Sequence, residues 1–133
     1  MKPISEKAQK GLDDYRRVES AAYNANDLDM VDNFHEDIVL TSNGAPTLHG
    51  RDSVRDFFKE VWAQNDTRFV EVVDERVSEV GNLLLISGRF TLEITPKDGC
   101  ESSLDNGRFQ GILIEGDDGR YRLLREACMD QEP

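Results

Sequence analysis

The chain is poor in the residues that build metal centres and covalent frameworks. It has two histidines and two cysteines, Cys100 and Cys128, in no recognisable spacing. A disulfide framework and a zinc site are disfavoured by that spacing, and no metal or other cofactor is expected. Basic residues are also scarce: 16 Lys and Arg stand against 27 Asp and Glu, a formal charge of −11. Such a surface repels phosphate backbones and anionic lipid, which argues against nucleic-acid and membrane partners. Long apolar runs are missing too. The longest clear one, LLLI at 83–86, is far short of the roughly 18 residues a membrane span needs. The opening MKPISEKAQKG has no apolar middle of a secretory signal, so a cytoplasmic location is expected.

What the chain does have is periodicity. Its 133 residues suit one domain, 1–133, able to bury roughly two thirds of its unfolded surface. Ala8, Leu12, Tyr15, Val18 and Ala22 recur at helical steps, and Asn24 and Asn26 offer a helix end. Asp27 can cap a second, short helix carrying Leu28, Val31 and Phe34, which closes at His35-Glu36-Asp37. A β-branched stretch, Ile38-Val39-Leu40, follows and ends at the turn residues 43–46. Val54, Phe57, Phe58, Val61 and Trp62 then form a broad apolar stripe on a helix over 51–64. From Thr67 the period drops to two. Strands separated by Gly81-Asn82, by PKDG at 96–99 and by GDDG at 116–119 read as a four-stranded antiparallel meander. The expected architecture is α+β, in the order α-α-β-α-β-β-β-β. A cone-shaped, curved antiparallel sheet wraps around three N-terminal helices and keeps a hollow at its wide end. Gly88, Gly107 and Gly111 are placed to supply the bends.

The segment NANDLDMVDNFHEDIVLTSNGAPTLHGRDSVRDFF resembles the opening of the nuclear transport factor 2-like superfamily, in particular its SnoaL-like and ketosteroid-isomerase-like branches. The hairpin GDDGRYRLLREA resembles the last one of the same group. The resemblance covers residues 8 to 129. It implies the cone fold, a small hydrophobic molecule as partner, and a homodimer formed through the convex face of the sheet. It leaves open isomerase, dehydratase, cyclase, hydrolase, carrier and oligomerisation roles. Of the three positions that make a ketosteroid isomerase, the base falls at Ser42, the tyrosine at Glu19 and the protonated aspartate near Gly111. That triad is absent. Compared with the epoxide-hydrolase branch, Glu126 falls at the carboxylate position, Asn43 near the asparagine and Thr41 at the tyrosine position.

Glu126 is therefore the candidate catalytic residue. Strand alternation, with the resemblance choosing the face, puts Arg122, Leu124, Glu126 and Cys128 on the concave side. Tyr121, Leu123, Arg125 and Ala127 then face outward, and Leu123 and Arg125 join Arg89, Thr91, Gln110 and Ile112 on the convex surface. A carboxyl in an apolar cone has its pKa raised and works as an acid or base near neutrality. The alternative is that Glu126 pairs with Arg122 or reaches solvent. Thr41, Asn43, Phe58, Trp62, Phe90, Leu113, Arg122 and Leu124 complete the expected ligand-binding set, with Leu92 as further apolar lining. His49 lies over the mouth or on a surface loop. Cys128 reads as a small buried hydrophobe with no histidine partner. The converging geometry a metal needs is lacking at His35-Glu36-Asp37, which reads as a corner. The function so implied is a lyase, isomerase or hydrolase acting on a hydrophobic carbonyl or polyketide-like compound. The alternative is a non-enzymatic carrier, sensor or dimerisation module.

Overall fold

Ser5 opens the first helix, α1 (Glu6–Ala25), by accepting a hydrogen bond from the Ala8 amide at 3.1 Å. Asn26 ends it in a left-handed conformation with φ 52°, its amide reaching back to the Ala22 and Tyr23 carbonyls. The computed structural model describes residues 3–130. The buried stripe of α1 is Ala8, Leu12, Tyr15, Glu19 and Ala22. An acid thus occupies the place expected for Val18, which lies beside the stripe and is half-buried.

The second helical segment is a 3₁₀ helix, Leu28–Asn33, capped by the Asp27 carboxylate on the Asp29 amide. Six residues, three of them Asp or Asn, make so short a turn that the tighter hydrogen-bond pattern is favoured. Phe34 already belongs to the first strand, β1 (Phe34–Ser42), which also takes in His35-Glu36-Asp37. A two-residue strand that periodicity does not reveal, β2 (Leu48–His49), pairs with β1 and leads into α2 (Gly50–Gln64). The long strands β3 (Asn65–Val80), β4 (Leu83–Pro96), β5 (Ser103–Glu115) and β6 (Tyr121–Asp130) form the expected meander. The order across the sheet is β2-β1-β6-β5-β4-β3. One pairing, β1 with β6, is parallel, so the sheet is mostly and not wholly antiparallel. No helix among the described residues is long and apolar enough to cross a membrane.

The sheet is bent by register irregularities. They lie at Phe69/Glu71 and Asp74/Arg76 in β3, between Ile112 and Leu113 where β5 meets β6, and between Phe34 and Val39 in β1. Each extra residue sharpens the local twist, and together they curl the sheet around α1 and α2. The core lies inside this curl, with Met30, Val31, Ile38, Val54, Leu84 and Leu113 almost fully enclosed. Gly88 faces Asp74 at one of the bends, where a β-carbon would collide with the Val73 carbonyl oxygen. Gly88→Ala is therefore expected to lower stability by about 1–3 kcal/mol, read as a lower urea midpoint at unchanged slope. On the convex face, Arg89 and Arg108 bind Glu71 and Glu75 in an exposed ladder.

Candidate functional site

The concave side encloses a cavity of about 330 Å³ between α1, α2 and the inner faces of β3 to β6. Six aromatic rings line it. Phe57 and Phe58 stack edge to face at 5.3 Å, Phe58 meets Tyr23 at 5.5 Å, and Tyr23 meets Phe69 at 4.5 Å. Phe90 continues the belt at 6.3 Å from Phe69, and Phe109 closes the deep end. Asn43, Asp105, Met129 and Asp130 line the cavity while remaining exposed, and so mark its mouth. A side hollow of about 90 Å³ beneath the β1–β2 loop shares Tyr23, Ser42, Phe57, Phe58, Glu126 and Cys128 with the main chamber.

Glu126 lines both spaces, and the reason lies one turn of the pleat away. Ile112 pairs with Arg125 and Leu113 with Leu123, which leaves Leu124 as an extra, bulged residue. The alternation changes phase there. Tyr121 and Leu123 point inward before the bulge, and Glu126 and Cys128 point inward after it. Leu123, expected on the convex face, is buried in the core at 3% exposure. Arg122 and Leu124, expected inside, line neither space. The Arg122 guanidinium bonds the Asp118 carboxylate at 2.7 and 3.0 Å, so it does not neutralise Glu126.

The partners of Glu126 are sparse. The Cys128 thiol donates to Oε1 at 3.4 Å, the one hydrogen bond the Glu126 carboxyl makes among the described residues. Below it lies a charge cluster anchored on α1. Arg16 bonds Glu19 Oε1 at 2.8 Å and grips Asp74 through Nη2 at 2.7 Å and Nε at 3.1 Å, while the Tyr15 hydroxyl donates to Glu19 Oε2 at 3.2 Å. The guanidinium lies 5.0 Å from the centre of the Phe109 ring. One cation thus serves two carboxylates, and the surplus negative charge acts on the third. Burial, then Glu19, push the Glu126 carboxyl up to about 7, against the opposing pull of Arg16 and the thiol. Burial opposes the charge on Arg16 as well, but Glu19 and Asp74 more than offset it and hold the guanidinium above its ordinary value. Cys128 is driven far above the thiol range, first by burial and then by Glu126, which makes it a donor and no nucleophile.

Tyr23, not among the residues expected there, joins the site. Its hydroxyl has no hydrogen-bond partner among the described residues, and no buried side-chain oxygen or nitrogen there lacks one, so the hydroxyl opens onto the cavity. Burial, with Glu19 and Glu126, holds the phenol well above its usual range, hence a neutral donor. The signal for Glu19 was in the sequence: an acid in the middle of an apolar helical stripe. Tyr23 had a signal too, standing four residues beyond Glu19 and eight beyond Tyr15 on the same helical face.

Of the other expected positions, Phe58, Phe90, Leu92 and Asn43 line the main chamber, and Thr41 lines the side hollow. Leu113 is core and outside the lining. Trp62 is core as well, its indole N–H donating to Thr67 Oγ1 at 2.9 Å. Trp62→Phe should cost about 2–3 kcal/mol, through that lost bond and the void left by the smaller ring, and leave ligand affinity unchanged, as denaturant and binding titrations can check. His35, Glu36, Asp37 and His49 stand apart from the cavity lining. Gly111 pairs with Glu126, and a methyl group there would lie 3.8 Å from Glu126 Oε2. The acid missing at Gly111 is thus approached from the neighbouring strand.

A helix-filled, curved and unclosed sheet around a cavity defines the nuclear transport factor 2-like class of α+β cones. Within it, residues 15–121 match the SnoaL-like domain, and the chain belongs to that family. The fold is similar to a conserved protein from Planctomyces limnophilus, with a TM-score of 0.86 and 13% identity over 94% of this chain and 97% of that one. It is also similar to a ketosteroid isomerase-like protein from Erwinia carotovora (TM-score 0.75, 16% identity, 91% and 94% covered). A candidate scytalone dehydratase from Novosphingobium aromaticivorans gives a TM-score of 0.80 at 10% identity, with 94% and 85% covered. No curated protein matches the sequence.

Proposed function

We propose that the cavity binds a small, largely apolar molecule and that Glu126 is its acid–base group. The reaction would be a lyase, isomerase or hydrolase step on a hydrophobic carbonyl or polyketide-like compound. The observation that carries this reading is the Glu126 carboxyl on an aromatic wall, with a thiol as its one partner and a free Tyr23 hydroxyl opening onto the same space. Near neutrality both protonation states of Glu126 are populated. The ionised form removes a proton from the carbon beside a carbonyl, and the protonated form returns it to the carbon or to a leaving oxygen. Tyr23 donates to the carbonyl oxygen as charge develops there, in a space where such a bond is strengthened by the exclusion of water. The fold similarity to a ketosteroid isomerase-like protein and to a candidate scytalone dehydratase supports this class of chemistry.

Deuterium wash-in at the carbon next to the carbonyl of aryl ketones such as tetralone, followed by mass spectrometry, tests it. The parent protein should catalyse exchange with an inflection near pH 7, and Glu126→Gln should lose at least about a hundredfold. Tetralone binding without exchange in either protein would favour the carrier reading. That reading has its own support in the lack of the isomerase triad: Ser42 and Glu19 line the cavity where a base and a tyrosine would stand.

A further inference from the structure

The charges around the cavity are one-sided. Glu19, Asp105, Glu126 and Asp130 line it, against a single cation, Arg16. That cation is not available to a ligand's anion, because three of its N–H groups are spent on Asp74 and Glu19 and its face lies against Phe109. Asp105 and Asp130 at the mouth make no ion pair among the described residues. An anionic ligand would pass two free carboxylates and end against two more. A cation meets the opposite field, and six aromatic rings give it negative faces to lie on.

Resting on the reading of the cavity as a small-molecule site, we infer that its ligand carries a basic nitrogen, bound as a cation that pairs with Glu126 while its apolar body lies in the aromatic belt. Selectivity then depends on the protonation of Glu126, whose neighbours are Tyr15, Arg16, Glu19 and Tyr23 on α1, Asp74 on β3 and Cys128 on its own strand. An amine that stays protonated through neutrality is held more tightly as Glu126 ionises, so its affinity rises with pH from about 6 to about 8.

Three probes of one shape separate the possibilities: naphthylmethylamine, naphthalenemethanol and naphthoate, titrated by calorimetry into the parent, Glu126→Gln and the exposed double variant Asp105→Asn/Asp130→Asn. The expected result is an amine bound at least about tenfold more tightly than the alcohol at pH near 8, and naphthoate weakest. The amine's advantage should shrink near pH 6, fall at least about fivefold in Glu126→Gln, where the rings and the other carboxylates remain, and fall about two- to threefold at low salt in the surface variant, which leaves the core untouched. An alcohol bound as tightly as the amine, a preference for naphthoate, or an amine preference unchanged in Glu126→Gln overturns the inference and leaves the cavity reading standing. If none of the three binds, the cavity reading falls with it.

Discussion

A Glu126→Gln variant is expected to be more stable than the parent above pH 7 and equal to it near pH 4. The direction follows from the proton balance. The folded chain holds the Glu126 proton up to about 7, while the unfolded chain releases it near 4.5. Between those values the folded state binds more protons, so stability falls as pH rises through the window and the full loss is present above it. The gap between about 7 and 4.5 corresponds to ~3 kcal/mol at most, or about 10 °C in midpoint for a domain of this size. An amide is neutral throughout and still accepts from the Cys128 thiol, so the variant escapes the penalty. Thermal melts of both proteins from pH 4 to 9 check this, and parallel curves would mean that Glu126 titrates as an ordinary carboxyl. A group whose loss raises stability while removing proton transfer is what a functional acid in a desolvated site should look like.

The second large effect belongs to Arg16. Replacing it with Met leaves Glu19, 8% exposed at the side chain, and Asp74, 19% exposed, without their shared cation. Stranding carboxylates in this way is expected to cost about 3–5 kcal/mol at neutral pH, and to raise the pH at which Glu126 ionises, since a charge that favours its ionised form is gone. Adding Glu19→Gln and Asp74→Asn to Arg16→Met should recover most of the stability, because the penalty comes from the orphaned charges and not from lost packing. If Arg16→Met alone melts with the parent, the cluster is more hydrated than its geometry implies, and burial alone would be left to raise Glu126.

Much of the scaffold could be read from spacing. The stripes of α1 and α2 and the glycine-bearing turns at 81–82, 96–99 and 116–119 are local signals, and local signals survive in one dimension. Glu126 emerged as the inward carboxyl, though the alternation that pointed to it was out of phase for the first half of the strand. A bulge at Leu124 has no local signature: an apolar residue inserted between Leu123 and Arg125 looks like uninterrupted strand. Arg16 and Asp74 were missed because their pairing spans 58 positions and neither sits on an apolar stripe. Strand β2 is two residues long, below what any period can reveal. The parallel contact of β1 with β6 is equally invisible, being a decision of topology and not of side chains.

The bulge carries a lesson about how such a cavity changes over generations. Because a single surplus residue sets which side chains of β6 look inward, drawing Leu124 into regular pairing, with the residue kept and the bulge lost, would exchange the two faces of everything beyond it. Arg125 and Ala127 would turn toward the interior, and Glu126 would leave it. The chemistry of the hollow is therefore held by the pairing of a strand as much as by its letters. A change of pairing along β6 can thus trade an acid for a base there, with no substitution at the site itself.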